Sequence, residues 1–279
     1  MGAEHRTVKI VVIVVVVLLV IGGILGLTLG LLLNQRYVEL EVWPRTDDYK
    51  WEEPLIQFSP SNKGTVYPWI KRINDFLRPY ETTIPEDPPR APCSIHNREE
   101  QQIRSNNCEM AMRVWAPCTI DEYYGYTMGT PCVFLRLNYL HYWVPQPYNV
   151  SSSLAIPTEM PEYLKQFMIQ RPAQMFGDYV WVSCGGELNS DKENIGPIQF
   201  IPAGLPPGFP LSRLHTADKI PYANRNLPDQ TPPPLIAIFF ENPRREVLIN
   251  VECRIWTRDI YYDPYSRVGR ARFELFINN

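Results

Sequence analysis

The sequence lacks the short motifs that mark most enzyme active sites. It contains no Asp-x-Asp motif for a divalent metal, no G-x-S-x-G, H-E-x-x-H or G-x-G-x-x-G motif and no P-loop. Its four histidines are scattered along the chain, at His5, His96, His141 and His215. Glu187, Asp191 and Glu193 lie close together, but the glycines, asparagines and serine around them predict a solvated turn. We therefore predict a non-catalytic chain without a cofactor or metal.

A surplus of positive charge is also missing. The chain has 27 lysines and arginines against 30 aspartates and glutamates, which gives a net charge of -3. No long basic block interrupts this balance. Since proteins that bind nucleic acids carry a basic patch or stripe, the sequence does not indicate a nucleic-acid partner.

Residues 10–33 lack charge, proline and aromatic side chains. These 24 residues are nearly all Val, Ile, Leu and Gly. A helix of this length spans about 36 Å, enough to cross a bilayer core of about 30 Å with some tilt. The run exceeds the usual core of a cleaved signal peptide, and no cleavage site follows it. We predict a cytoplasmic tail at 1–9 and a transmembrane signal-anchor helix at 10–33.

Three glycines recur within this predicted helix at intervals of four residues. Gly22, Gly26 and Gly30 therefore lie on one helical face, and faces of small residues let helices approach closely in lipid. Glycine is common in membrane helices, so the spacing also arises by chance. We predict that this face contacts a partner helix.

The cysteine pattern indicates an extracellular domain. No C-x-x-C pair is present, which speaks against a zinc site. The six cysteines all follow the predicted helix, at Cys93, Cys108, Cys118, Cys132, Cys184 and Cys253. An even number of cysteines favours disulfides, which persist outside the cytosol. The sequon at Asn149 predicts glycosylation on the same side. We predict a type II membrane protein whose C-terminal domain is extracellular.

The extracellular part favours a mainly β fold. We predict a stalk at 34–67, in which Val38, Leu40 and Val42 alternate as in a strand, and a disulfide-bonded domain at 68–279. A short helix is predicted from Pro68 to Leu77, ended by Pro79. Strands are predicted at Tyr179–Cys184, Pro234–Phe240, Val247–Ile255 and Val268–Ile277. Short strands separated by turns predict an antiparallel sandwich.

Residue patterns alone leave the disulfide pairing open, because six cysteines allow fifteen pairings. Neighbouring pairs, 93–108 and 118–132, close the shortest loops. Cys184 and Cys253 each point with the apolar residues of a predicted strand, as a buried bridge between two strands requires.

The segment from Tyr124 to Asn138 resembles a signature of the beta subunits of P-type cation pumps. That signature has an aromatic-Gly-Tyr, a Gly-x-Pro-Cys, a short hydrophobic strand and a basic-x-Asn, which this chain carries as Tyr124-Gly125-Tyr126, Gly129-Thr130-Pro131-Cys132 and Arg136-Leu137-Asn138. The order and spacing of the six cysteines also fit this family. The resemblance implies an immunoglobulin-like sandwich with disulfides 93–108, 118–132 and 184–253.

The same resemblance implies a function. Such subunits are non-catalytic: they assist folding, assembly and plasma-membrane delivery of a catalytic alpha subunit and modulate its potassium affinity. The alpha subunit belongs to a sodium/potassium pump or the related hydrogen/potassium pump, and a small single-span regulatory subunit and membrane lipid are further expected partners. Contacts to the alpha subunit outside the membrane are expected from Tyr124, Tyr126, Lys219 and Tyr222.

The chain departs from this family at the places where relatives contact the alpha subunit, among others. Its membrane run has no aromatic residue, and only Pro221-Tyr222 and Lys219 match the aromatic segment by which relatives contact the alpha subunit. An alternative function is a stand-alone type II adhesion or receptor glycoprotein with the same sandwich.

Overall fold

A computed structural model describes residues 13–26, 38–46, 54–81, 115–139, 143–148, 156–170, 179–211, 214, 233–260 and 267–279. The four α-helices in these ranges are α1 at residues 13–26, α2 at Lys63–Glu81, α3 at Glu162–Gln170 and α4 at Asn189–Asn194. A 3-10 helix spans Tyr123–Met128. The strands are β1 Val38–Trp43, β2 Leu55–Phe58, β3 Cys132–Tyr139, β4 Tyr179–Gly186, β5 Ile198–Ile201, β6 Gly208–Pro210, β7 Leu235–Phe240, β8 Leu248–Trp256 and β9 Arg270–Ile277.

The strands form two sheets that share one hydrophobic core. The first sheet has the order β1-β3-β7-β5 and the second the order β2-β9-β8-β4-β6. Inward-facing side chains of both sheets belong to one buried cluster, and the Phe240 and Phe273 rings meet edge to face across it, with centroids 6.1 Å apart. This arrangement confirms the predicted mainly β domain with antiparallel sheets.

One pair of strands departs from the antiparallel prediction. β2 pairs in parallel with β9, with Leu55 opposite Glu274 and Phe58 opposite Ile277. A hairpin would force neighbouring strands to be antiparallel, but β2 and β9 lie at opposite ends of the domain sequence. The chain crosses from the first sheet to the second between β1 and β2, so β2 can join the edge in either direction.

The predicted stalk at 34–67 needs correction. β1 pairs along its whole length with β3, and β2 pairs with β9. Val38, Leu40, Ile56 and Phe58 are buried in the shared core. The prolines that suggested a stalk lie between and after these strands, where they interrupt pairing without removing the segments from the domain. The folded domain therefore includes the chain from Val38 onward.

Helix α2 begins earlier and ends later than the Pro68–Leu77 prediction. Asn62 precedes its first turn, where its Oδ1 accepts a hydrogen bond from the Gly64 backbone N–H at 3.0 Å. This Asn cap sets the start of the helix. Pro68 and Pro79 both lie inside the helix, which continues to Glu81.

The predicted apolar face of α2 is buried in the core, at Trp69, Ile70, Ile73, Phe76 and Leu77.

A helix covers the outer face of each sheet. On the first sheet, the Phe76 ring of α2 stacks on Trp43 of β1 with centroids 4.6 Å apart. On the second sheet, Leu164 and Met168 of α3 join a separate buried cluster with Tyr179, Trp181 and Trp256. The prediction missed α3, and therefore missed that both faces of β4 are buried.

Two of the expected disulfides are present. Cys118 bonds to Cys132, and Cys184 bonds to Cys253 with Cα atoms 4.1 Å apart. Cys184 and Cys253 are directly opposite in neighbouring strands of one sheet. In antibody domains the corresponding disulfide joins the two sheets, whereas Cys184–Cys253 lies within one sheet. The immunoglobulin likeness therefore stays an expectation. The Cys93–Cys108 pair lies outside the described residues.

Only part of the predicted membrane run can be compared with the structure. Residues 13–26 are helical, and their side chains are exposed. Over the ranges given above, no helix combines the length and the apolar character that a membrane crossing needs. The span at 10–33 stays a prediction.

The two disulfides differ in the lengths of the loops they close, which predicts unequal contributions to stability. Cys184 and Cys253 are 69 residues apart and Cys118 and Cys132 are 14 apart. The chain-entropy model gives losses of about 4 and about 3 kcal/mol when these bonds are removed. We expect Cys184→Ala/Cys253→Ala to lower the urea midpoint of the full chain more than Cys118→Ala/Cys132→Ala. All four cysteines are buried, so the two pairs leave similar cavities; equal or reversed midpoints would contradict the loop argument.

Candidate partner-binding surfaces

One constrained part of the described chain is the turn held by the Cys118–Cys132 bond. We call residues 115–131 the strapped turn. Three consecutive residues in it have positive φ: 50° at Tyr123, 52° at Tyr124 and 77° at Gly125. Such angles at non-glycine residues cost on the order of 1–3 kcal/mol each and persist only where the surroundings enforce them. Here the disulfide and the buried side chains below the turn enforce them.

The backbone at position 125 lies so close to the Thr130 carbonyl that only glycine fits there. A Cβ atom on this residue would lie 1.9 Å from the carbonyl oxygen of Thr130. The Thr130 N–H in turn donates to the Gly125 carbonyl at 3.1 Å. Only glycine combines this contact with a φ of 77°. The close approach and the positive φ therefore explain why the signature motif has glycine at position 125.

Tyr124 and Tyr126 are fully buried, at 0 % exposure, so the expectation that they contact a partner is wrong for this conformation. The Tyr124 hydroxyl donates to Asn74 Oδ1 of α2 at 2.6 Å, and its ring meets Phe134 edge to face. The Tyr126 ring packs on Phe58 with centroids 4.8 Å apart. The reversed backbone of the turn directs both side chains inward, so they anchor the turn to the core.

Other side chains of the strapped turn face solvent. Ile120 is 39 % exposed, Tyr123 45 % and Met128 69 %. Asp121 and Glu122 between them are also exposed. Sequence reasoning missed this surface because alternation of aromatic residues does not tell which of them point inward in a turn with positive φ.

The strand directions place the strapped turn at one end of the sandwich. β1 and β3 are antiparallel, with Val38 opposite Tyr139 and Trp43 opposite Phe134. The strapped turn leads into Cys132 and therefore lies beyond the Trp43 side. We call this side the Cys132 end and the opposite one the Val38 end.

The connection that carries the remaining expected partner contacts joins the described strands at the Val38 end. Lys219 and Tyr222 lie outside the described residues, within the connection from β6 to β7. β6 ends at Pro210, opposite Tyr179 at the start of β4, and β7 begins at Leu235, opposite Arg136. Both flanks of the connection are therefore at the Val38 end. These flanks are separated from Tyr124 and Tyr126 by the length of the strands.

The Val38 end also holds the segment that leads to the predicted glycosylation site. Asp259 accepts hydrogen bonds from Trp143 Nε1 at 2.6 Å and from the Gln146 backbone N–H at 2.8 Å. These bonds fix residues 143–148 against the end of β8. Asn149 itself lies outside the described residues.

Gly22 and Gly26 are described, and Gly30 is not. A Cβ atom at either described glycine would meet no heavy atom of the chain within 4 Å. Nothing in the described chain covers this helical face, which leaves the predicted contact with a partner helix as a prediction.

An apolar groove of about 590 Å³ runs between α3, α4 and β5. Its lining includes Tyr163, Phe167, Phe200 and a single charged side chain, Lys192. The Tyr163 hydroxyl accepts a hydrogen bond from the Cys184 backbone N–H at 3.2 Å, and burial raises the pKa of Tyr163 to about 12. Nothing in this lining forms a nucleophile–base pair.

Asp191, next to Lys192 in the chain, departs from the solvated-turn prediction, whereas Glu193 is exposed as predicted. Its carboxylate is buried and accepts hydrogen bonds from the Leu188 backbone N–H at 3.0 Å and from Asn250 Nδ2 at 3.4 Å. These bonds fasten the first turn of α4 to β8, so the role of Asp191 is structural.

The comparisons with known proteins agree with one another. A family model described as "Sodium / potassium ATPase beta chain" matches residues 38–274. Among curated relatives, "Sodium/potassium-transporting ATPase subunit beta-2" of Drosophila melanogaster is 33% identical over 233 residues, covering 81% of this chain and 67% of the relative.

Two further relatives carry related names. "Sodium/potassium-transporting ATPase subunit beta-1" of Drosophila melanogaster is 30% identical over 226 residues, covering 80% of this chain and 66% of the relative. "Sodium/potassium-transporting ATPase subunit beta-1" of Tetronarce californica is 27% identical over 234 residues, covering 80% of this chain and 70% of the relative. The matched part of the chain thus spans about two thirds of the length of these relatives.

We expect the two buried tyrosines to respond differently to the same substitution. Tyr124→Phe removes the hydrogen bond that Asn74 Oδ1 accepts from the tyrosine hydroxyl. We expect this loss to lower the free energy of unfolding by about 1–2 kcal/mol. The Tyr126 hydroxyl is buried with no hydrogen-bond partner among the described residues. Tyr126→Phe should therefore leave the free energy of unfolding unchanged or raise it. Urea unfolding of the two full-length variants checks this, and a larger loss for Tyr126→Phe would refute the assignment.

Proposed function

The chain belongs to the sodium/potassium ATPase beta chain family, and we propose that it is the non-catalytic beta subunit of a sodium/potassium-transporting P-type ATPase. In this role it binds a catalytic alpha subunit, assists the folding, assembly and plasma-membrane delivery of that subunit, and modulates its potassium affinity. The family resemblance implies these three activities.

The extent of the family match is the observation that carries the proposal. Residues 38–274 contain the strapped turn, both described disulfides and every strand of the two sheets except the last three residues of β9. The agreement therefore covers the folded domain as a unit and does not depend on a short motif.

The membrane arrangement is part of the same proposal. Residues 10–33 anchor the chain as a single type II span, the C-terminal domain is extracellular, and Asn149 carries a glycan. Gly22, Gly26 and Gly30 form the face that packs on a helix of the alpha subunit. A small single-span regulatory subunit and surrounding lipid are further proposed partners.

The connection that carries Lys219 and Tyr222 is the proposed contact outside the membrane. Its flanking strands meet it at the Val38 end, and only the four residues 34–37 lie between the predicted span and β1. Four extended residues reach at most about 14 Å. In the proposed arrangement the Val38 end lies close to the membrane that holds the alpha subunit.

Affinity purification of the full chain from mild detergent tests the proposal. We expect a large multi-span ATPase to co-purify in equal amount. Recovery of the chain alone, or only with further copies of itself, would contradict the pump role and favour the alternative of a stand-alone adhesion or receptor glycoprotein.

A substitution in the glycine face tests the proposed helix contact. Gly26→Leu adds a side chain where the chain itself leaves open space, so any loss comes from the partner. We expect several-fold less ATPase to co-purify with this variant. Ile24→Leu, on the opposite side of the helix, is the matched control and should co-purify as the unmodified chain does. Equal recovery with both variants would make the glycine spacing incidental.

A further inference from the structure

We infer that the outer edge of β5 is a strand-addition site for an extended segment of a partner protein. The segment pairs with β5 and places apolar side chains in the groove between α3, α4 and β5. Its pattern is apolar, polar, apolar, followed by an acidic residue. The site is separate from the membrane helix and from the β6–β7 connection, so it goes beyond the proposed assembly with the alpha subunit and does not depend on it.

The backbone of β5 has hydrogen-bonding groups that point away from its own sheet. β5 is the last strand of the order β1-β3-β7-β5. The Pro197 carbonyl, just before β5, accepts a hydrogen bond from the Glu241 N–H at 3.1 Å. Because antiparallel pairing alternates along a strand, Ile198 and Phe200 turn both their N–H and C=O groups away from β7. Within the described ranges, no other group hydrogen bonds to these outward groups.

Other strand edges of the described chain are capped by side chains. On β2, the Gln57 carbonyl accepts a hydrogen bond from Trp69 Nε1 at 2.9 Å. On β4, beyond the part that pairs with β6, the Cys184 N–H donates to the Tyr163 hydroxyl at 3.2 Å. Natural edge strands also discourage pairing by proline or charged residues, and Ile198–Ile201 contains neither. The edge of β5 is therefore open to a further strand.

The core is incomplete beside this edge. The inward side chains of β7, Ile238 and Phe240, are completely buried, whereas Ile198 and Phe200 opposite them are only half-buried. Both half-buried side chains line the groove of about 590 Å³. Directly opposite residues of paired strands point to the same face. Apolar residues of an added strand opposite Ile198 and Phe200 therefore enter the groove, and the residue opposite Gln199 faces outward and is polar.

The charge of the groove sets the direction of the added strand. Lys192 is exposed and is the single charged side chain of the lining. A Cβ atom on Gly186, the last residue of β4, would lie 2.3 Å from the Lys192 backbone N, so Lys192 lies at the Cys132 end of the groove. β5 begins at this same end, with Ile198 opposite Phe240. A strand antiparallel to β5 therefore ends beside Lys192, where an acidic residue is complementary.

The open backbone groups favour a peptide over an apolar small molecule. A lipid chain in the groove would cover the N–H and C=O groups of Ile198 and Phe200 without pairing them, which costs binding free energy. An added strand pairs all four groups and also fills the groove. Backbone pairing together with pockets for alternate side chains is the usual mode of strand addition to a sheet edge.

Hydrogen exchange of the full chain in mild detergent tests the inference. The probe is the acetylated and amidated peptide Thr-Val-Thr-Val-Glu-Glu at millimolar concentration, and exchange is measured by mass spectrometry with residue-level fragmentation. We expect the peptide to slow exchange of the Ile198 and Phe200 amides several-fold by mass action. The Gln199 and Ile201 amides, which pair with β7, should keep their rates. Unchanged exchange at Ile198 and Phe200 would overturn the inference.

Methylation of peptide nitrogens distinguishes strand pairing from apolar contact. Methylation of both valine nitrogens removes the two N–H groups that donate to the Ile198 and Phe200 carbonyls, and we expect it to abolish the protection. The matched control carries its two methyl groups on the threonine between the valines and on the first glutamate. Those N–H groups point away from β5, so the control should protect as the unmodified peptide does. Equal protection by both methylated peptides, or protection by neither, would overturn the inference.

A charge exchange tests the position of Lys192. We expect the unmodified chain to be protected more by Thr-Val-Thr-Val-Glu-Glu than by Thr-Val-Thr-Val-Lys-Lys, and Lys192→Glu to reverse this order. Lys71→Glu makes the same charge change at an exposed residue of α2 outside the groove and should keep the original order. A folding defect could not reverse a preference between two peptides. The same order in the unmodified chain and in Lys192→Glu would contradict the proposed direction and charge.

Discussion

The alternation of side chains along β8 is the constraint on which the rest of the domain depends. Its inward side chains, Ile249, Val251, Cys253 and Ile255, are completely buried, and Cys253 bonds to β4 from within that row. Its outward Glu252 accepts hydrogen bonds or ion pairs from three arginines, Arg254, Arg270 and Arg272. A shift of one residue would move Glu252 away from its three arginines into the apolar core and turn Cys253 out of that core, so the register of β8 with β4 and β9 is strongly specified.

A fixed register also fixes the direction of every neighbouring strand, and this direction separates two surfaces. The chain enters the domain at Val38, and the connection between β6 and β7 leaves and returns at that same end. The strapped turn lies at the other end, where Tyr124 and Tyr126 hold it on the core. A motif that is recognisable in the sequence can thus be needed for folding, while the residues next to it, Tyr123 and Met128, form the accessible surface.

Most strands could be predicted because a period of two with one buried face is visible in single residues, as at Phe273, Leu275 and Ile277. The Cys184–Cys253 bridge was predictable for the same reason, since both cysteines continue an apolar row. The start of α2 was predicted too late because a proline is a familiar first residue of a helix and Pro68 was taken as that residue. The helix begins earlier because the Asn62 side chain accepts a hydrogen bond from the first turn. The buried state of Tyr124 was not predictable, because a positive φ at a tyrosine arises from tertiary packing and has no local sequence signal. The parallel β2–β9 pair depends on a crossing between sheets, which residue patterns do not encode.

The energetics of the strapped turn explain how three consecutive positive φ angles persist in it. The strain of the positive φ angles is balanced by burial of two tyrosine rings and by the disulfide, within the folded chain itself. The turn therefore holds its conformation without a bound partner, and Tyr123 and Met128 stay exposed on an ordered backbone.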